Sequence, residues 1–340
     1  MTDIAKDGTM RCLRLHSYGD PADVLRLEVA PIPTPGRGAI RIRVNACGLN
    51  PADWALCRGL FPKALPRGVG LDVAGVVDAL GEGVTGVAIG DPVLGPANYS
   101  DHGSAGAAEY AIVDYWTPLP PGLGMASAAS LPMVVETAYR CIDWLGVRAG
   151  QTVMISGGGS MIGFGAVQMA LLRGARVVTT AGETFAGQLR AMGALVTPYG
   201  EGMVARVRDL VGTPDLIFDC APTNLKQRLS GGTVESVLPD LIAIAGGDPA
   251  RVLTCVDMAG APGLGVRNGM NETPGGPDGA VLRYDKLGEF AALAAAGRFT
   301  VPLARTFAFE EWPEALELSM NGQARGKLVL APAAATESEP

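Results

Sequence analysis

The segment from Thr152 to Thr180 limits the fold more than any other part of the chain. A short apolar and β-branched run, Thr152 to Ser156, leads into Gly157-Gly158-Gly159-Ser160-Met161-Ile162-Gly163, and an apolar stretch of helical length, Ile162 to Arg173, follows. Arg176 to Thr180 then reads as a second strand. Strand, glycine turn, helix and strand make a βαβ unit with parallel strands and a right-handed crossover. Bare backbone in such a turn permits the bend and lets a diphosphate come close. It also lets helix and strand pack tightly, with the anion over the helix N-terminus. Matched to G-x-G-x-x-G, the positions are Gly158, Ser160 and Gly163, with serine replacing the middle glycine. The bland alternative is a tight turn that holds nothing; the flanking strands and helix argue against it.

The same alternation continues: a helix over Thr184 to Met192, a short strand near Leu195, a helix over Met203 to Val211 and a strand over Asp215 to Asp219. Val252 to Val256 and Leu264 to Val266 supply further strands. A doubly wound parallel sheet is therefore expected over residues 132–279, opened by a helix from Ser130 to Trp144. Before it, strand-length runs at Leu25 to Val29, Ala39 to Ala46, Val73 to Leu80 and Ala108 to Val113 lie between Pro and Gly punctuation. Residues 10–131 thus read as an irregular β domain. Asn268 to Gly279 reads as a loop, and a helix over Tyr284 to Ala296 begins the 280–332 segment that completes the first domain. Residues 333–340 form a polar tail expected to be disordered.

A chain of 340 residues suits two such domains. The formal charge, 27 − 34 = −7, and the scatter of Lys and Arg disfavour nucleic-acid partners. No apolar run is long enough to span a membrane, and the polar N-terminus is unlike a signal peptide, so a cytoplasmic location is expected. The six cysteines show no CxxC spacing and are expected to be reduced and mostly buried.

Several further segments resemble the medium-chain dehydrogenase/reductase family, in particular its zinc-free quinone oxidoreductase (zeta-crystallin-like) branch. They are Ala46-Cys47-Gly48-Leu49-Asn50-Pro51-Ala52-Asp53, Gly70-Leu71-Asp72-Val73-Ala74-Gly75-Val76-Val77, Gly90-Asp91-Pro92-Val93, Gly106-Ala107-Ala108-Glu109-Tyr110, Leu131-Pro132 with Thr137-Ala138-Tyr139, and Gly326-Lys327-Leu328-Val329-Leu330. The resemblance implies an α/β architecture: a GroES-like β catalytic domain plus a doubly wound, parallel-sheet Rossmann domain. Dimers are common among such relatives, so a homodimer is the oligomer the resemblance suggests. Zinc-dependent relatives place a cysteine where Asn50 stands and a His-Glu pair where Leu71-Asp72 stands. Cys47 and His102 are too few to make a tetrahedral site, and no zinc is expected.

The dinucleotide is expected to lie over Gly158, Gly159, Ser160, Met161, Ile162 and Gly163. Thr180 and Gly182 would meet its ribose, and Ala221 and Pro222 would face it from the carboxyl end of a later strand. By resemblance, Thr137 is the nicotinamide-side threonine and Tyr199 the tyrosine beside the adenosine phosphate. Glu136 stands where the family usually has glycine, a departure at the approach to the nicotinamide. Thr179-Thr180-Ala181-Gly182 holds no acid where an NAD site wants one, which favours NADPH over NADH, with Arg190 or Arg325 as the cation for a 2′-phosphate.

Without a metal, reduction of an already activated quinone or α,β-unsaturated carbonyl is the expected reaction. Asn50 is the nominated hydrogen-bond donor, Asp53 a brace for its loop, and Tyr99 and His102 are candidate proton donors. Trp54 and Phe61 are candidate apolar walls for a planar substrate. An enoyl-thioester reductase of polyketide or fatty-acid type is the alternative chemistry, and a non-catalytic NADPH-binding protein is the alternative of another class.

Overall fold

The computed structural model describes residues 8–99, 103–221, 235–269 and 282–332. His102, Pro222 and the expected tail after Pro332 lie outside them. In chain order the elements are β1 (Thr9–Leu15), α1 (Pro21–Val24), β2 (Leu25–Pro31), β3 (Ile40–Leu49), α2 (Pro51–Cys57), β4 (Arg67–Gly68), β5 (Asp72–Leu80), β6 (Pro92–Pro96), β7 (Tyr110–Val113), β8 (Thr117–Pro118), α3 (Met125–Ala129) and α4 (Pro132–Trp144). They continue with β9 (Thr152–Ser156), α5 (Met161–Leu172), β10 (Arg176–Thr180), α6 (Glu183–Ala191), β11 (Leu195–Thr197), α7 (Met203–Val211), β12 (Leu216–Asp219), α8 (Leu238–Ile244), β13 (Val252–Thr254), α9 (Ala261–Leu264) and β14 (Arg267–Asn268). The last are α10 (Leu287–Ala295), β15 (Leu303–Ala308), α11 (Trp312–Met320) and β16 (Lys327–Ala331). The chain forms two compact units, Met1–Met133 with Leu287–Pro340, and Val134–Lys286.

The first unit is built on a seven-stranded sheet, ordered β15-β16-β3-β5-β6-β8, with β7 also paired to β3. A smaller sheet has the order β2-β1-β4. In β3 the alternation of apolar residues with arginines puts Ile40, Ile42 and Val44 into the core, where Val73, Val77, Phe307 and Leu330 meet them. Each such fully buried aliphatic side chain stabilises the fold by about 1.5–3 kcal/mol relative to exposure. The register has a local consequence. Gly48 pairs with Asp72 across β3 and β5, and Leu49 pairs with Leu328 across β3 and β16. Three strand ends therefore bring Asn50, Asp72 and Lys327 together.

The second unit is a six-stranded parallel sheet, ordered β11-β10-β9-β12-β13-β14. This is the 3-2-1-4-5-6 order of the Rossmann fold, in which winding reverses between the first and fourth strands. Val153, Met154 and Ile155 of β9 are buried, as a central strand covered on both faces requires. Met154, Val178 and Ile217 pack against Val207 of α7 and Leu238 and Leu241 of α8.

Several elements differ from expectation; the helix expected from Tyr284, for one, is α-helical only from Leu287. Residues 264–266 are not a strand: the short helix α9 starts at Ala261 with Pro262 in its first turn, Gly265 ends it with φ +70°, and the strand begins only at Arg267. The expected helix from Ser130 to Trp144 is also shorter, because α3 ends at Ala129 and α4 starts at Pro132.

Candidate functional site

In the second unit the glycine turn sits at the switch point. Gly157 follows β9 with φ +88°, and a Cβ there would stand 2.3 Å from Ala221 Cα, just beyond β12. Gly158 is bare because a Cβ would meet Thr179 Oγ1 at 2.2 Å, and Gly163 because it would meet Gly157 O at 2.2 Å. These three glycines are explained by the protein's own packing. Gly159 is not: its φ is not in the left-handed range, and nothing lies closer than 3.9 Å to a Cβ there.

Ser160, in the middle-glycine position, is the N-cap of α5. Its Oγ accepts from Gly163 N at 3.0 Å and lies 3.0 Å from Cys220 O, joining the turn to β12. Met161 and Ile162 open the helix, so the free amides of its first turn stand beside Gly159. The threonines that end β10 serve the turn. Thr180 Oγ1 accepts from Gly157 N and its carbonyl accepts from Gly158 N, both at 2.9 Å, while Thr179 Oγ1 donates to Ile155 O at 2.7 Å. A pyridine dinucleotide fits this chain: the uncrowded Cα of Gly159 and the helix amides form a cradle that one added methyl group would fill.

In the first unit, Lys327 Nζ donates to Asn50 Oδ1 at 2.5 Å and to Asp72 Oδ2 at 2.8 Å. Asn50 Nδ2 donates to Asp72 Oδ2 at 3.0 Å and to Gly48 O at 3.3 Å, and Asp72 Oδ1 accepts from Met133 N at 2.9 Å. All three side chains are buried. Both N–H groups of the Asn50 amide are therefore engaged, which corrects its expected role as the hydrogen-bond donor to a substrate. The third Lys327 N–H has no acceptor among the described residues.

Asp53 braces the adjoining loop: its carboxylate accepts from Asn50 N at 2.7 Å and from Gly70 N at 2.9 Å. Complete burial pushes its pKa up to about 7 against those two bonds.

Residues 36–129 match the alcohol dehydrogenase GroES-like domain family, and residues 196–330 match the family described as zinc-binding dehydrogenase. A chloroplast envelope quinone oxidoreductase homolog of Arabidopsis thaliana is 31% identical over 237 residues, 62% of this chain and 71% of that protein. The chain belongs to the medium-chain dehydrogenase/reductase family, in its quinone oxidoreductase branch.

The quinone oxidoreductase of Homo sapiens is 34% identical over 179 residues, which cover 51% of this chain and only 53% of that protein. Among solved structures, the quinone oxidoreductase from Coxiella burnetii superposes with a TM-score of 0.72 at 25% identity, covering 95% of this chain and 99% of that one. The two units are accordingly a GroES-like domain and a Rossmann-type domain.

The described residues do not suit zinc, despite the family description. They include no group of three His, Cys, Asp or Glu side chains able to share a metal ion. The Lys327 ammonium already takes Asn50 and Asp72, and a dication beside it would be repelled. Cys47 is fully buried, and burial holds its thiol well above the ordinary cysteine pKa. No helix among the described residues is long and apolar enough to cross a membrane.

Of the other expected residues, Trp54 is core and no substrate wall: it is fully buried and its Nε1 donates to Ser319 Oγ at 2.7 Å. Phe61 is half exposed, and the Tyr99 ring lies 5.6 Å from the Arg67 guanidinium carbon. Thr137 Oγ1 donates to Glu136 Oε2 at 3.1 Å. The Glu136 carboxylate also takes Arg140 Nε and Nη2 and the amide of Arg283, so the residue that departs from the family pattern is turned into the interior of the second unit.

Tyr199 is 70% exposed, with its Cε1 3.9 Å from a Cβ built on Gly182. Arg190 lies in the last turn of α6, at the far end of that helix from Gly182. Arg206 stands near Tyr199 although no sequence motif marks it. Its guanidinium donates to Thr197 Oγ1, Pro198 O, Glu201 O and, at 3.5 Å, Tyr199 O, all neutral acceptors around Tyr199.

Proposed function

We propose that the chain is an NADPH-dependent oxidoreductase that delivers hydride to a quinone or another α,β-unsaturated carbonyl without zinc. The observation that carries the reading is the bareness of Gly159 beside the amides of α5, room that the packing of the protein does not use. A bound reduced nicotinamide supplies the hydride, and conjugation in the acceptor replaces Lewis-acid activation.

The residues of the chain then do the rest. Gly158, Gly159, Ser160, Met161, Ile162 and Gly163 bind the diphosphate, with Ala221 closing the turn. Thr180, Gly182 and Tyr199 border the adenosine ribose. Arg206, held at Tyr199 with no carboxylate partner among the described residues, offers charge to a 2′-phosphate. Thr137 orients the nicotinamide side. Lys327 offers its third N–H to the oxygen on which negative charge grows, and Asn50 and Asp72 hold that ammonium in place. Asp53 fixes the loop, and Tyr99 is the hydroxyl assigned to proton delivery.

A panel of benzoquinones, enones and enoyl thioesters, followed by NADPH absorbance with NADH as the comparison, tests the proposal. Turnover of quinones or simple enones supports it, and preference for enoyl thioesters would move the assignment to that chemistry. Absence of heat and of thermal protection with either reduced dinucleotide would overturn it.

A further inference from the structure

Arg67 opens β4, is 1% exposed, and donates from Nη1 to Phe61 O at 2.8 Å. Its Nε and Nη2 atoms are buried and have no acceptor among the described residues. Those two N–H groups point the same way from one edge of the planar guanidinium, the edge that takes both oxygens of a carboxylate.

The same chain shows that edge satisfied three times. Arg41 sets Nε and Nη2 on the two oxygens of Asp78 at 2.9 and 3.0 Å. Arg140 does so on Glu136 at 2.5 and 3.1 Å, and Arg283 on Asp285 at 2.9 and 3.2 Å. Arg67 has the fork, the burial and the charge, but no ion-pair partner among the described residues. A buried cation without a counterion is costly to keep, and an apolar side chain would fill the place more cheaply.

We propose that the Nε/Nη2 edge of Arg67 is a binding site for a carboxylate on a small planar ligand. That this ligand is the hydride acceptor rests on the oxidoreductase reading above; the carboxylate site does not. The neighbours suit a flat conjugated acid. The Tyr99 ring lies 5.6 Å from the guanidinium carbon, and Phe61, whose carbonyl takes Nη1, is 47% exposed. Phe61 has φ +51°, an unfavourable backbone for a bulky residue. The loop it belongs to is exposed from Phe61 to Leu65, and the Tyr18 hydroxyl pins it by donating to Lys63 O and accepting from Lys63 N, both at 2.7 Å.

The test is calorimetry and thermal shift on the full chain with benzoate, using benzamide as the neutral isostere, in wild type, Arg67→Met and Arg67→Lys. Benzoate binds wild type and benzamide does not. Affinity for benzoate falls by about 30-fold or more in both variants, because lysine keeps the charge without the fork. Both variants fold, since neither leaves more unpaired buried donors than arginine does, and circular dichroism checks this.

Equal benzoate affinity in all three proteins, or no binding to wild type because ordered water alone serves the edge, would overturn the proposal. An enone carboxylic acid and its methyl ester complete the test: the KM advantage of the acid disappears in Arg67→Met. If benzoate binds through Arg67 while no acceptor is reduced, the oxidoreductase reading falls and the carboxylate site stands.

Discussion

Lys327 Nζ donates to Asp72 Oδ2 across 2.8 Å, with only 3% and 1% of the two side chains exposed. They are brought together by strand register alone, β16 on β3 and β3 on β5. Removing one partner strands the other charge inside the sheet. Lys327→Met is therefore expected to destabilise the fold by about 3–5 kcal/mol, and Lys327→Met with Asp72→Asn by less than the sum of the single variants. Urea unfolding of the three variants checks this, and additive losses would mean that the pair is not coupled.

The glycines of the turn separate folding from binding. Gly157→Ala forces a methyl group against the Ala221 backbone at a φ of +88°, and is expected to cost about 3 kcal/mol or more. Gly159→Ala meets Ala181 Cβ and Phe185 Cδ2 only at an ordinary van der Waals distance of 3.9 Å, so stability stays within about 0.5 kcal/mol of wild type. Its effect is expected on dinucleotide affinity, a fall of about tenfold or more, read by calorimetry. Unchanged affinity in Gly159→Ala would remove the diphosphate from that cradle.

Coenzyme choice is expected to run through Arg206. Its four neutral acceptors hold the guanidinium beside Tyr199 without cancelling its charge. Arg206→Ala is expected to raise KM for NADPH by about tenfold while leaving KM for NADH nearly unchanged, a loss of one charged hydrogen-bonding partner. An equal rise for both coenzymes would mean that Arg206 only supports the loop.

The turn was legible in the sequence because its constraint is local: bend, approach and packing all fall on consecutive residues, 157–163. β2, β3, β5 and β7 of the first unit and β9 to β13 of the second were legible for the same reason, through their apolar runs and glycine punctuation, whereas β1, β6, β15 and β16 were not read. What the sequence hid depends on distant partners. Lys327 lies 277 residues from Asn50, so the ammonium that occupies the Asn50 amide could not be seen in either segment. Trp54 looked like a substrate wall until Ser319, 265 residues on, proved to be its partner. Arg67 and Arg206 gave no signal, since a lone arginine is read by the acceptors it finds or lacks, and these are set by tertiary structure. Glu136 is the converse case: the departure from the family pattern was visible, but its partner Arg140, one helical turn on, was not read as the reason.

Stability is expected to fall as pH rises through neutrality, and Asp53 is the cause of the upper part of that fall. Its pKa is raised to about 7 by burial, while in the unfolded chain an aspartate titrates near about 3.9. Between those values the folded chain holds a proton that the unfolded chain has lost, so raising pH favours unfolding. Asp219, buried at the end of β12 and raised to about 6, adds a similar slope that ends lower. From pH 6 to 7 the slope belongs mainly to Asp53, at about 1.4 kcal/mol per pH unit as an upper bound. Denaturant unfolding at pH 5, 6, 7 and 8 measures it. Asp53→Asn is expected to be less stable at pH 5, because one amide cannot accept from both Asn50 N and Gly70 N, but to lose the decline between pH 6 and 7. The same decline in that variant would assign the titration to another group.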